Sequence, residues 1–303
     1  MPDTGSRLAA AVVLMAYGSP DRLEDVPAYY ADVRGGRPVP PERLAELVER
    51  YRSLGIERSN PLNEVTERTR AALERELGLP VLTGMKHWRP RIAEAAGRAI
   101  ETGAETVLGL VLAPHDSALS IGGYRAQLEE ALAGRAHLVF VDSWADEPGL
   151  VDFWAERVRA AAPGHVVFTA HSLPARVHEL GDPYEEELRT TARLIAEAAG
   201  LADDAHSLAY QSASPTGEPW LGPDIREHLD ELAARGVRRV VLCPVGFVAD
   251  HLEIRWDLDT VAAARARELG LELERLRMPN DDPAFVAVLA EVARRALAVP
   301  SAG

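Results

Sequence analysis

Between Val240 and Thr260 the chain reads VVLCPVGFVADHLEIRWDLDT, an apolar run that gives way to three carboxylates and a histidine. Asp250, Glu253 and Asp257 fall at i, i+3 and i+7, so a helix over this stretch would place all three on one face. With His251 beside them they could pass protons or hold a divalent cation. The same acids could equally complement a helix dipole from solvent, and spacing alone does not separate the two. Other polar residues stand where apolar runs stop. Tyr17 ends Leu8 to Ala16, Lys86 and His87 follow Pro80 to Thr83, His115 follows Glu105 to Ala113, and His171 follows His165 to Ala170. A neutral imidazole in such a place can accept a proton or bind metal, though its plainer role is to hydrogen-bond the turn. Lys86 is the single lysine of a chain whose other strong bases are arginines. Trp220, in PWLGP, either lines a flat apolar pocket or packs into the core.

The elements that must position these residues follow a regular rhythm. Apolar strands of four to nine residues alternate with amphipathic helices at 23–34, 42–51, 61–77, 91–102, 124–132, 147–162, 184–200, 223–235, up to about 269, and 283–298. Such alternation predicts parallel sheets with right-handed crossovers. The expected fold is α/β, with two Rossmann-like domains, each on a parallel four-stranded sheet, facing a central cleft. The boundaries read as residues 1–146 and 147–280, with 281–303 a final helix packing back on the first domain. Ligands of open α/β sheets bind at the carboxyl ends of strands, where the candidate residues lie.

Composition removes several function classes. A net charge of −14 argues against a nucleic-acid or anionic-membrane partner. Cys243 is the only cysteine, so a single chain offers no disulfide, no CxxC pair and no cysteine-ligated iron-sulfur cluster. The run Leu8 to Ala16 is about half a membrane span, and Asp3 spoils a basic leader, so a cytoplasmic protein without an integral membrane segment is expected. The glycine loops of dinucleotide and P-loop enzymes and the GxSxG elbow are absent.

With AYGSP at 16–20, KH at 86–87, APH at 113–115, AHSLP at 170–174, PWLGPD at 219–224 and PVGFVADHLE at 244–253, in that order, the chain resembles the ferrochelatases. Within that family it most resembles the Gram-positive-type coproporphyrin III enzymes, which carry a tyrosine in the first motif where eukaryotic protoporphyrin enzymes carry another residue. The resemblance implies insertion of Fe²⁺ into a free-base porphyrin, with porphyrin and Fe²⁺ as substrates, no tightly bound cofactor, and a monomer. It implies His171 and Glu253 as catalytic and Tyr17 on the opposite porphyrin face. It further implies Arg34, Arg50, Tyr124 and Asn60 around the propionates, with Lys86, His87 and Trp220 lining the substrate site. The metal would meet His171, Glu253, Asp257 and Tyr17. Two positions depart from the family pattern: Val261 stands where some relatives have a further carboxylate, and Asn60-Pro61 replaces Ser-Pro. The rival readings are a protoporphyrin IX enzyme, a chelatase for another tetrapyrrole, and a non-catalytic tetrapyrrole or metal carrier.

Overall fold

The strand Ala10–Ala16 (β1), AAVVLMA, is buried along its whole length, as a strand covered on both faces must be. Its side chains alternate between two cores. Val12 and Leu14 join Leu73, Leu108 and Leu110, whereas Ala11, Val13 and Met15 pack with Ile92, Ala95 and Leu128. The computed structural model describes residues 9–55, 61–214 and 216–298. β1 pairs in parallel with Val81–Met85 (β2) and Thr106–Val111 (β3), and β3 with His137–Val141 (β4), giving the order β2-β1-β3-β4. The second sheet repeats this order. His165–His171 (β5) pairs with His206–Gln211 (β6) and Arg239–Cys243 (β7), and β7 with Glu272–Arg275 (β8), all in parallel. The chain is thus α/β with two four-stranded parallel sheets.

In both sheets the order reverses direction beside the first strand of the half, and an open α/β sheet holds ligands at that switch point. Tyr17 directly follows β1, and His171 is the last residue of β5. They occupy corresponding places in the two halves.

The first half carries helices Val26–Val33 (α1), Pro41–Ser53 (α2), Pro61–Leu77 (α3), Ile92–Glu101 (α4) and Ile121–Leu132 (α5). The second carries Pro148–Ala161 (α6), Tyr184–Ala199 (α7), Ile225–Ala234 (α8), Ala263–Glu268 (α9) and Pro283–Ala298 (α10). Helix starts follow local chemistry: proline opens α2, α3, α6 and α10, and the Asp224 carboxylate accepts from the Arg226 N–H at the start of α8. The last helix lies against α3 and α6. Its buried Phe285 meets Trp144 and Phe153 with centroids 6.0 and 5.9 Å apart, and Arg294 pairs with Glu76.

Two sequence expectations shift. His171 belongs to β5 rather than to the loop after it, because the ladder extends one pair further, to Gln211. The helix after β7 begins only at Leu252 and is wound as a π-helix over Ile254–Ala262. Asp250 therefore lies outside the helix, where its carboxylate takes Asn280 Nδ2 at 2.8 Å and Arg275 at 3.2 Å. The three acids do not share one face.

Candidate active site

His171 is brought to the cleft end of β5 and locked there by its backbone. The Tyr184 hydroxyl donates to the His171 carbonyl at 2.9 Å, and the neighbouring Ser172 Oγ donates to the Leu221 carbonyl at 2.7 Å. The ring Nδ1 is hydrogen-bonded to the Ser172 carbonyl. A carbonyl only accepts, so Nδ1 carries the hydrogen and Nε2 is left to face Glu253 Oε1, 3.5 Å away.

The loop after β7 delivers Glu253 by an unusually close approach. A Cβ on Gly246 would sit 2.5 Å from Ala170 Cβ, and the Gly246 N–H donates to the Thr169 carbonyl at 3.1 Å. Only glycine lets this loop lie on the end of β5. His251, ambiguous in the sequence, proves to be a second partner of the same carboxylate. Its Nδ1 bonds the Ala249 carbonyl at 2.9 Å, and its Nε2 is 3.5 Å from Glu253 Oε2. Glu253 thus lies between two imidazoles that present Nε2, with the Phe247 ring beside both. Two lone pairs facing a carboxylate would repel it, so a shared proton belongs in this arrangement. Burial alone would lower the pKa of His171, but Glu253 outweighs it and holds the imidazole up at about 9. The Glu253 carboxyl, which burial would raise, is held by His171 and His251 well below the usual carboxylate range.

Asp257 lies one turn on. Burial raises its carboxyl pKa against the hydrogen bond it accepts from Ser212 Oγ. Ser212 adopts φ +66°, a left-handed conformation that costs about 1 kcal/mol for a non-glycine residue. Immediately before it, buried Gln211 has neither side-chain Nε2 nor Oε1 bonded within the protein. Such orphaned polar atoms cluster where a site binds water or ligand.

The other wall is built at the end of β1. Tyr17 is 42% exposed, and its ring is tilted on His87 with centroids 4.6 Å apart. The cleft walls withdraw its phenol from water and Glu253 adds like-charge repulsion, so its pKa is raised. The AYGSP loop is held by Asn63, which accepts from Ser19 N–H at 3.1 Å and donates to its carbonyl at 2.8 Å. Gly18, at φ +86°, lets Trp88 pack where a Cβ would come within 2.7 Å.

The remaining candidates each take partners of their own. Lys86 Nζ lies over the Tyr124 ring at 4.7 Å and donates to the Ser120 carbonyl at 3.0 Å, so the lysine caps a buried tyrosine. Arg50 reaches from α2 to within 5.4 Å of the Trp256 ring on the opposite wall. Arg34 closes α1 over Tyr30 at 5.9 Å, and its Nε is buried with no partner. Trp220 donates to Thr216 within its own loop, whose backbone bridges to Pro174. Asn60 lies outside the described residues. His115 is buried against Thr191 at 3.0 Å instead of opening to the cleft, and burial lowers its pKa to about 3. Among the described residues, no group of three or more His, Cys, Asp or Glu side chains is arranged to hold a metal ion. Trp256, Asn63, Ser212 and Asp32 were not foreseen, because their partners Arg50, Ser19, Asp257 and His87 are distant in the chain and meet them only through the fold.

The sequence model of the Ferrochelatase family matches residues 9–297. The chain belongs to the ferrochelatase family. It is 43% identical over 300 residues to a ferrochelatase of Herpetosiphon aurantiacus, with 93% of this chain and 97% of the relative covered. It is 38% identical to a coproporphyrin III ferrochelatase of Geobacillus kaustophilus, with 93% and 94% covered. Among solved structures it resembles SirB from Bacillus subtilis with Fe³⁺, at a TM-score of 0.61, with 95% and 96% of the two chains covered; at 11% identity this is a likeness of fold. As a ferrochelatase the chain catalyses metal insertion into a porphyrin, with porphyrin and iron as substrates. No helix among the described residues is long and apolar enough to cross a membrane.

Proposed function

We propose that this ferrochelatase inserts Fe²⁺ into coproporphyrin III, with His171 and Glu253 as the catalytic pair and Tyr17 on the opposite face of the macrocycle. The observation that carries the catalytic reading is Glu253 set between the Nε2 atoms of His171 and His251, at 3.5 Å from each. Metallation must remove two pyrrole protons as the dication enters. An unprotonated His171 Nε2 can take one such proton, with Glu253 stabilising the imidazolium so formed, and once it has passed that proton to water it can take the second. In the resting protein the pair already holds a proton, so it must first release one. An approaching dication favours that release by the same Coulomb term that Glu253 opposes. Asp257, one turn beyond Glu253, would meet the hydrated ion before the pair does.

Tyr17, directly after β1, would bind product iron from the face opposite His171. Arg34, half-buried at the end of α1, carries a guanidinium suited to a carboxylate, and Arg50 at the cleft is a second. Coproporphyrin carries four propionates against two in protoporphyrin, so arginines at the rim favour it. The relatives named coproporphyrin III ferrochelatase, at 36–38% identity, support the same choice. Competition between the two porphyrins in anaerobic Fe²⁺ insertion tests it: preferential turnover of coproporphyrin supports the proposal, and equal or reversed preference refutes the substrate assignment.

A further inference from the structure

Behind Tyr17 lies a chain of bonded groups that the proposed chemistry does not use. His87 rests against the Tyr17 ring, and its backbone N–H donates to the Tyr17 carbonyl at 3.0 Å. On its far side, His87 Nδ1 is 2.9 Å from Asp32 Oδ2. Asp32, on α1, is gripped at two points by Arg91, with Nη2 to Oδ1 at 2.9 Å and Nη1 to Oδ2 at 3.1 Å. The same Nη1 donates to the Lys86 carbonyl at 3.2 Å, so Arg91, at the start of α4, ties the carboxylate to the end of β2.

Each link limits the next. A two-point guanidinium contact fixes a carboxylate in plane and position. Burial would raise the Asp32 pKa, but Arg91 and His87 lower it and keep the group ionised. An ionised carboxylate only accepts, so the His87 hydrogen stays on Nδ1 and the ring cannot turn over without losing its bond. That ring is only 15% exposed and is the surface against which Tyr17, 42% exposed, is set.

We infer that Asp32, held by Arg91, is a positioning residue: by fixing the His87 ring it sets where the Tyr17 phenol stands in the cleft, and hence how tightly an iron porphyrin is held on that side. The last step rests on the reading of Tyr17 as a ligand to product iron. The alternative is that Asp32 only ties α1 to the sheet.

The test uses the full chain with ¹³C-labelled tyrosine, the Tyr17 signal being assigned by Tyr17→Phe. Asp32→Asn should move the Tyr17 ring signal and weaken iron coproporphyrin binding several-fold, less than the roughly tenfold or more lost when a partner bonded directly to a ligand is removed. In a His87→Phe background the same change should add less than about twofold, because its effect passes through His87. Asp32→Glu should restore part of the affinity. Arg91→Gln should give the same pattern more weakly, and carries the test should Asp32→Asn not fold. A Tyr17 signal that stays in place, or losses that multiply in the double variant, would overturn the inference. A signal that moves while Tyr17→Phe leaves the iron-porphyrin spectrum unchanged would uphold the positioning role and remove Tyr17 as the ligand.

Discussion

Glu253→Gln tests the electrostatic heart of the site. The substitution keeps the side chain's size and removes its charge, leaving His171 with burial, which lowers an imidazole pKa, against the Ser172 carbonyl and the more distant Asp257, which raise it. In the native site His171 titrates at about 9, against an ordinary value of 6.5. That difference corresponds to roughly 3 kcal/mol of preference for the charged ring. His171 is 30% and Glu253 38% exposed, so solvent screening reduces the expected coupling to about 1.5 kcal/mol, or about one pH unit in His171. The sign is fixed. A raised histidine pKa gives stability fully present below 6.5 and lost as pH rises through about 9. A depressed Glu253 pKa gives stability present above 4.5 and lost on acidification. Both describe one interaction, so Glu253→Gln should be most destabilising between those two values and nearly neutral above about 9. Imidazole ¹⁵N titration should show His171 displaced to lower pH in the variant, and anaerobic Fe²⁺ insertion should be abolished while porphyrin still binds. A His171 titration unchanged by the substitution, or turnover at the wild-type rate, would mean that Glu253 does not hold the His171 proton.

Three further outcomes follow from the structure. Gly246→Ala places a methyl group within 2.5 Å of Ala170 Cβ and must lift the loop that carries Glu253; insertion should fall at least tenfold with a smaller change in porphyrin affinity, as steady-state kinetics would show. Phe285→Ala opens a cavity beside Trp144 and Phe153 and should cost about 3 kcal/mol, lowering the melting midpoint by roughly 5 °C in calorimetry with kcat unaltered. Tyr17→Met should change the iron-porphyrin absorption spectrum more than the insertion rate, and an unchanged spectrum would exclude Tyr17 as a ligand.

The alternation of strand and helix was legible because burial on both faces leaves uninterrupted apolar runs such as AAVVLMA, and because prolines mark helix starts. His171 and Glu253 were legible because polar residues at strand ends are rare enough to notice and because the ferrochelatase motifs contain them. What the sequence could not show depends on winding and on distant partners. Nothing in the residue types marks that the helix waits until Leu252, so Asp250 was grouped with acids it does not join. His115 stood at a strand end like the others, but Thr191, 76 residues on, buries it. Asp32 met no motif, since its partners His87 and Arg91 lie 55 and 59 residues away and meet it only when α1 docks on the end of β2.

The most direct test of the central claim is anaerobic Fe²⁺ insertion followed by absorbance, with coproporphyrin III and protoporphyrin IX in parallel and His171→Ala as control. Faster turnover of coproporphyrin III is expected, and its loss in His171→Ala. Stoichiometric porphyrin binding without turnover, or a His171→Ala variant that turns over like the native protein, would contradict it.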